Sequence, residues 1–209
     1  MFRLAPEGRP FVVVAFAALG LLLVFSQLLA ALLWAPIACW VFWFFRDPPR
    51  DGARGPDLFI SPADGRVVDI REVAEPEFCG GTVQRVCVFM NVFDCHVNRY
   101  PMSGRVAFRH YKKGQFLNAA DGRASLENEQ SAVGLETAHG RVLLRQIAGL
   151  VARRIITDHD VGHAAVQGDR LGMIRFGSRV DIYLPMDAKV RVSVGDRVRA
   201  NQSVVAEWK

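Results

Sequence analysis

A stretch without a charged residue, from Phe11 to Phe45, is the feature that most constrains this chain of 209 residues. Its first part, Phe11 to Trp34, exceeds the ~20 residues that a helix needs to cross the ~30 Å core of a bilayer. A secretory signal peptide does not explain the run, which is too long and has no small-residue cleavage site at its end. We therefore expect a membrane-associated segment over residues 1–45.

The length of this run leaves its topology open. It is too long for one simple span and short for two, and Pro36 is expected to break or kink a helix. A span followed by an interfacial segment would fit, and so would a shallow helical hairpin. Arginines flank both ends, so the positive-inside rule does not choose between them. The hairpin would keep both flanks in the cytoplasm.

A proline- and glycine-rich stretch follows, and it predicts a linker over residues 46–56 and a separate domain over residues 57–209. Within that domain, short alternating runs are separated by turn signals, and no run has a strong helical period. The predicted strands are Gly65–Ile70, Val83–Asn91, Gly104–His110, Arg141–Ile147, Val151–Ile156, Gly172–Phe176, Arg179–Leu184, Lys189–Val194 and Ser203–Trp208. Residues 117–128 are predicted as a short helix or a loop.

This pattern predicts a mainly β domain, either a sandwich or a partly closed barrel. Residues 188–207 resemble the hairpins of the biotinyl/lipoyl-like barrel-sandwich hybrid. Carrier domains with those hairpins present a modified lysine between methionines, and Met186-Asp187-Ala188-Lys189 lacks that arrangement. The resemblance therefore indicates a barrel-sandwich-hybrid-like fold without a carrier function.

Charge and cysteine content narrow the class of protein further. The formal net charge of +5 is a modest excess that favours acidic surfaces or substrates, and no nucleic-acid partner is expected. The cysteines form no CxxC pair, so buried and reduced core cysteines, which suit a cytoplasmic domain, are expected at Cys39, Cys79, Cys87 and Cys95.

The dipeptide Gly177-Ser178 lies between two strand-like runs. Glycine tolerates backbone angles that other residues resist, so it can hold a strained or exposed peptide bond, and the serine places a hydroxyl beside that bond. Gly-Ser is also an ordinary hairpin or bulge dipeptide. The surrounding motifs have to decide between these interpretations.

Two other polar positions are candidates for chemistry. His96 ends an apolar strand within a cluster of Asp, Asn and Arg, where a neutral imidazole can both accept and donate a proton. Asp64 lies in the tight turn Ser61-Pro62-Ala63-Asp64-Gly65. The alternatives are a core histidine satisfied by backbone groups and a turn-forming aspartate.

The spacing of His159 and His163 would put both on one helix face and raises the hypothesis of a zinc site. Gly162 and the missing glutamate of an HExxH motif argue against it. We expect a solvated loop there and no bound metal.

Several short motifs occur in one order along the chain: Phe45-Arg46-Asp47-Pro48, Ser61-Pro62-Ala63-Asp64-Gly65, Phe93-Asp94-Cys95-His96-Val97-Asn98-Arg99, Asn128-Glu129, Gln146-Ile147-Ala148-Gly149 and Phe176-Gly177-Ser178. Together they resemble phosphatidylserine decarboxylase in its short bacterial and archaeal form. The resemblance covers nearly the whole chain, including the apolar N-terminus.

The resemblance implies a proenzyme that cuts its own chain between Gly177 and Ser178. The fragments 1–177 and 178–209 would remain together as a heterodimer, and Ser178 would become a covalent pyruvoyl group. The implied reaction is decarboxylation of phosphatidylserine, through a Schiff base, to phosphatidylethanolamine and CO₂. The implied location is the inner face of the cell membrane, with the bilayer and its phosphatidylserine as partners.

By the same resemblance, His96 would take the proton of the Ser178 hydroxyl, and Asp64 would orient His96. Longer members of the family carry a second histidine three residues on, where this chain has Arg99. His96 is therefore a candidate both for the cleavage base and for the proton donor in turnover, and Arg99 for anion binding.

Two functions from other classes compete with this prediction. One is a non-catalytic, membrane-anchored barrel-sandwich module that binds a protein, with Gly177-Ser178 as a plain hairpin. The other is a zinc hydrolase that uses His159 and His163.

Overall fold

The computed structural model describes residues 3–115, 127–149, 154–175 and 177–208. The chain divides into two units, residues 1–49 and 50–209. This boundary falls within the predicted linker, and residues 50–56 belong to the second unit.

The apolar run forms two helices, α1 (Arg9–Val24) and α2 (Leu28–Phe44), after a 3-10 turn at Pro6–Gly8. Backbone hydrogen bonds join the outer ends of the two helices, from the Ala5 N–H to the Phe45 carbonyl at 2.8 Å and from the Asp47 N–H to the Arg3 carbonyl at 2.8 Å. The first unit is therefore an antiparallel helical hairpin, the second of the two arrangements that the sequence allowed.

The turn of the helical hairpin does not lie at Pro36. Pro36 lies inside α2, which continues to Phe44, so this proline does not end the helix. The chain turns instead at Ser26, whose φ of 56° is left-handed. In the described residues, one helical stretch, Pro6–Val24, is long and apolar enough to cross a membrane.

The second unit is built from β1 (Leu58–Ile60), β2 (Gly65–Glu75), β3 (Gly81–Met90), β4 (Val97–Arg99), β5 (Gly104–Lys112), β6 (Gln130–Thr137), β7 (Gly140–Ala148), β8 (Ile155–Thr157), β9 (Ala164–Ala165), β10 (Arg170–Ile174), β11 (Ser178–Leu184), β12 (Ala188–Val190), β13 (Arg197–Val198) and β14 (Val204–Trp208). Eight strands form a curled sheet in the order β13-β2-β3-β11-β7-β6-β5-β9. Two sheets of three strands have the orders β1-β14-β12 and β4-β10-β8. The predicted mainly β fold is confirmed.

One apolar core lies between the curled sheet and the two smaller sheets. It takes Val180 and Ile182 from β11, Leu171 from β10 and Val205 from β14, all fully buried. β11 pairs with β3 on one side and β7 on the other, and all its residues are buried. It is the central strand of the domain.

Each predicted strand overlaps an observed one, although the predicted positions 151–153 and Phe176 lie outside the described residues. So does most of the segment 117–128. Strands that the sequence pattern did not indicate are β1, β4, β6, β9 and β13.

Gly65 is required where β2 starts, because its backbone passes close to β3. Its φ is +148°, and a Cβ at this position would collide with the Phe89 carbonyl oxygen. At Gly81, which starts β3, no atom lies within 4 Å of the place that a Cβ would take. A side chain at Gly65 is therefore opposed by the structure, whereas a side chain at Gly81 has room.

We expect Gly65→Ala to lower the free energy of unfolding by more than ~1 kcal/mol, since both the backbone angle and the contact oppose a side chain. Gly81→Ala is the matched control and should stay within about 0.5 kcal/mol of the parent. Urea unfolding followed by tryptophan fluorescence measures both. Equal stability of the two variants would contradict the close approach at Gly65.

Candidate active site

Five strand ends meet at one end of the curled sheet. Ser178, the first residue of β11, lies opposite Met90, the last of β3, and opposite Ala148, the last of β7. The starts of β2 and β6 lie at this same end, because Arg66 pairs with Phe89 and Gln130 with Ile147. Asp64 directly precedes β2, and His96 follows β3 after a short turn. The fold thus brings the sequence-predicted Asp64, His96, Gly177 and Ser178 to one end of the sheet.

Ser178 is fully buried, and its Oγ has no hydrogen-bond partner among the residues that the structure describes. Its register neighbours Met90 and Ala148 belong to the apolar core, so its side chain points into the interior. A buried hydroxyl without a partner costs stability. This cost makes Ser178 a candidate for a role other than packing.

Gly177 lies where the chain passes from β10, in a three-stranded sheet, into β11 of the curled sheet. Its φ is +56°, in the left-handed region, and nothing lies within 4 Å of the place that a Cβ would take. Backbone conformation, and not space, therefore favours glycine here. The preceding Phe176 lies outside the described residues.

His96 is fully buried, and its Nδ1 lies 3.0 Å from the Asp94 carbonyl oxygen. A carbonyl only accepts, so Nδ1 carries the proton and Nε2 is the acceptor nitrogen of the neutral ring. The imidazole therefore has the tautomer of a general base that acts through Nε2.

The turn before His96 is locked by its own side chains. Asp94 Oδ2 accepts the Asn91 N–H at 2.9 Å, and Asn91 Oδ1 accepts the Phe93 N–H at 2.8 Å. Asp94 Oδ1 accepts a charged hydrogen bond from Arg197 at 2.7 Å. Sequence reasoning missed Asp94, although an Asn and an Asp at the two ends of a four-residue turn are a signal for such locking.

The Asp64 carboxylate is held by Arg50 and by a backbone N–H. Its carboxylate forms a two-point ion pair with Arg50, with the Arg50 Nη2–Asp64 Oδ2 distance at 2.6 Å, and accepts the Ala200 N–H at 2.9 Å. In the described part of the chain no hydrogen bond joins this carboxylate to His96. Orientation of His96 by Asp64 remains a prediction, and the Asp94 carbonyl occupies that position in the structure.

The Arg99 side chain lies on the face of β4 that points away from the interior. Its neighbour Asn98 points into the core, and successive side chains of a strand alternate. The Arg99 guanidinium donates to the Gly168 carbonyl at 3.2 Å, and the Arg54 guanidinium also lies against Gly168. Two positive groups therefore meet at this loop.

The two histidines of the zinc hypothesis stack on each other. The rings of His159 and His163 are parallel within 3°, with centroids 3.6 Å apart, and Tyr100 stacks beside them. The Tyr100 hydroxyl lies 3.2 Å from His159 Nδ1, and burial raises the pKa of Tyr100 to about 12. No group of three or more potential metal ligands occurs within the described ranges.

The opposite face of β11 carries a buried ion pair that the sequence reasoning did not single out. The Arg179 Nε–Asp181 Oδ1 distance is 2.7 Å, and both side chains are almost fully buried. Nearby, the pKa of Tyr183 is raised to about 12 by burial, with Asp181 as the next cause. Burial and then the Asp181 charge raise the pKa of the Cys87 thiol, which keeps this cysteine protonated and unreactive.

The model of the family described as phosphatidylserine decarboxylase matches residues 37–206 of this chain. The chain belongs to the phosphatidylserine decarboxylase family. Among its relatives named phosphatidylserine decarboxylase proenzyme are one from Symbiobacterium thermophilum, 47% identical and covering 97% of this chain and 94% of the relative, and one from Nitrosomonas europaea, 46% identical with coverages of 98% and 95%. A third, from Aromatoleum aromaticum, is 44% identical with coverages of 98% and 95%. The predicted family and enzyme class are confirmed.

In this member of the decarboxylase family, we expect Arg50→Met to destabilise the β domain by about 1–3 kcal/mol. The change leaves the buried Asp64 carboxylate with one donor. Arg191→Met is the control, because it breaks an exposed pair with Glu207 and should have little measurable effect. Thermal unfolding measures the stability of both variants. An equal loss of stability would mean that the Arg50–Asp64 pair contributes no more than the exposed pair.

Proposed function

We propose that the protein is a phosphatidylserine decarboxylase that cuts itself between Gly177 and Ser178 and acts through a pyruvoyl group formed from Ser178. The observation that carries this proposal is the buried Ser178 Oγ without a hydrogen-bond partner in the described residues, next to a glycine at φ +56°. Membership of the family supports the reaction and its substrate.

Self-cleavage uses groups of this chain alone. Ser178 Oγ attacks the Gly177 carbonyl carbon, the carbon–nitrogen bond breaks, and an ester links Gly177 to the Ser178 oxygen. Loss of the Ser178 Cα proton with rupture of the Cβ–oxygen bond releases the Gly177 carboxylate and leaves dehydroalanine. Addition of water and departure of ammonia give the ketone. A buried hydroxyl fits the first step because burial limits the water that could attack the Gly177 carbonyl in its place.

His96 is the base that we assign to the first step. Nε2 would take the hydroxyl proton while the Asp94 carbonyl holds Nδ1–H. In the structure Asp64 is paired with Arg50, and the Asp94 carbonyl holds His96 Nδ1–H. We therefore propose that Asp94 orients His96 and that Asp64 gives electrostatic support to the cationic His96 at the shared sheet end.

In turnover, a pyruvoyl group at position 178 would supply Schiff-base chemistry for the substrate amine and an electron sink for the loss of CO₂. His96 is our candidate to return a proton to the α-carbon, which yields phosphatidylethanolamine. Arg99, with Arg54 beside it at Gly168, is the proposed contact for an anionic part of the headgroup.

The helical hairpin supports a membrane location. Each helix is about 25 Å long at ~1.5 Å per residue and apolar on all sides. Its outer ends are tied together, so both flanks lie on one side of a bilayer, which we assign to the cytoplasm. A substrate with acyl chains in that bilayer would reach the domain by its headgroup.

The fold also supports a stable pair of fragments. Residues 178–209 would contain β11 to β14, and β11 lies between β3 and β7 of the other fragment. The shorter fragment could leave only if the central strand were pulled from the sheet. We therefore propose a heterodimer of 1–177 and 178–209.

We expect Ser178→Ala to remain one chain and to release no CO₂ from phosphatidylserine, since no hydroxyl attacks Gly177. Ser193→Ala, in an exposed turn, is the control and should be cut normally. Intact mass under denaturing conditions resolves the fragments, and hydrazine tests for the keto terminus. A full-length wild-type chain without that terminus would support the non-catalytic binding module instead.

We expect His96→Ala to slow self-cleavage by about 10²- to 10⁴-fold, the range that a general base contributes. His110→Ala serves as the control, because His110 lies in β5 at an exposed position. Time courses of cleavage after cell-free synthesis with lipid nanodiscs measure both rates. Cleavage of the His96 variant at the wild-type rate would remove His96 from the first step.

A further inference from the structure

A chain of buried hydrogen bonds crosses from the curled sheet to the three-stranded sheet that contains β4. Ser131 Oγ and Thr157 Oγ1 lie 2.9 Å apart, and the Thr157 hydroxyl donates to Gln146 Oε1 at 2.8 Å. Gln146 Nε2 donates to Asn98 Oδ1 at 2.8 Å, and Asn98 Nδ2 contacts the Met90 sulfur at 3.6 Å. Both amide side chains are fully buried.

This chain of hydrogen bonds passes close to Ser178. Gln146 pairs with Val180 in register, which makes it the diagonal neighbour of Ser178, about 7–8 Å away on the same face of the sheet. Met90, at the other end, is the direct neighbour of Ser178 on β3. The Gln146 and Met90 side chains therefore lie on the same face of the sheet as Ser178, and Asn98 contacts both of them.

The same contacts set the position of His96. Asn98 lies two residues after His96, and the two side chains are expected to point to the same side of the strand. β4 hydrogen-bonds to β10 and belongs to a different sheet from β11. The hydrogen bond between the Gln146 and Asn98 side chains joins the strand that follows His96 to the curled sheet at the level of Val180, two residues from Ser178.

We propose that Asn98 and Gln146 are positioning residues that fix the distance between His96 and Ser178. This inference rests on the proposed self-cleavage. The 2.8 Å hydrogen bond between two buried amides is directional, so it fixes the position of β4 against the curled sheet more narrowly than non-directional apolar contacts do. A misplacement of about 1 Å can cost ~100-fold in rate, so a polar link in an apolar core is justified at this place.

Neither amide touches the reacting atoms in this arrangement. They act through β4 and Met90, so their loss should slow self-cleavage as well as lower the melting temperature. Loss of a purely structural pair would lower the melting temperature and leave the cleavage rate unchanged.

The first test replaces Gln146 by methionine, which keeps the side-chain length and removes its hydrogen bonds to Asn98, to Thr157 and to the Ile156 carbonyl. We expect Gln146→Met to cut itself at least tenfold more slowly than the wild type, as measured by time courses after cell-free synthesis with nanodiscs. The matched control is Gln84→Met at the far end of β3, where the amide donates to the Ala188 carbonyl at 2.7 Å. It should lower the melting temperature to a similar extent and leave the cleavage rate within twofold of the wild type.

A second test exchanges the two amides and does not depend on whether the methionine variant folds. Gln146→Asn alone shortens the link and should slow cleavage, whereas Gln146→Asn combined with Asn98→Gln restores its length and should recover the rate to within about threefold. If Gln146→Met is cut at the wild-type rate while its melting temperature falls, the positioning role is wrong and the proposed function stands. If the wild type itself is never cut, both are wrong.

Discussion

The register of β11 is the constraint on which the rest of the domain depends. Side chains of a strand alternate between its faces, so Ser178, Val180 and Ile182 share the interior face, and Arg179 and Asp181 share the other. A slip of one residue would place Arg179 in the apolar core and move the serine out of it. Such a slip would bury a guanidinium among apolar groups, so the register is strongly specified by these alternating side chains.

The buried ion pair reinforces this register from the opposite face. Arg179 and Asp181 bond to each other across one residue of the same strand, and both are enclosed. A buried pair of this kind contributes little net stability compared with apolar residues, but breaking it by removing one partner is costly. Its value here is specificity, because a slip of one residue would turn both charged side chains toward the apolar core. The hydroxyl that the proposed chemistry needs is thus placed by residues that take no part in that chemistry.

How far the sequence predicted this structure depends on whether a feature has a local pattern. Strands with one buried face, such as β2 and β3, have a turn signal and an alternating run. β6 was missed because its first six residues are all buried, so alternation disappears. β4 has three residues, too few for any period. The helical hairpin was one of two arrangements that the apolar run allowed, and long-range pairing of its ends decided between them.

In the site, too, the features with a local sequence pattern were the ones that could be predicted. Gly177, Ser178 and His96 stand in short motifs, and the fold brings these motifs to one sheet end. The contact that holds the imidazole is a backbone carbonyl, which has no side-chain signature. Arg50, the partner of Asp64, lies in a stretch that has the composition of a linker. Contacts between residues distant in sequence cannot be inferred from composition, because they arise only when the strands have paired.

The position of the proposed cut is itself explained by the topology. A break within β11 would divide the central strand and free its ladder on both sides. A break between Gly177 and Ser178 falls instead where the chain crosses between sheets, so residues 179–184 keep their pairing with β3 and β7. The fold could therefore lose the peptide bond at the proposed cleavage site without losing a strand. The proposed self-cleavage would have to follow folding, because His96, Ser178 and the left-handed Gly177 come to one end of the sheet only after five strand ends have assembled.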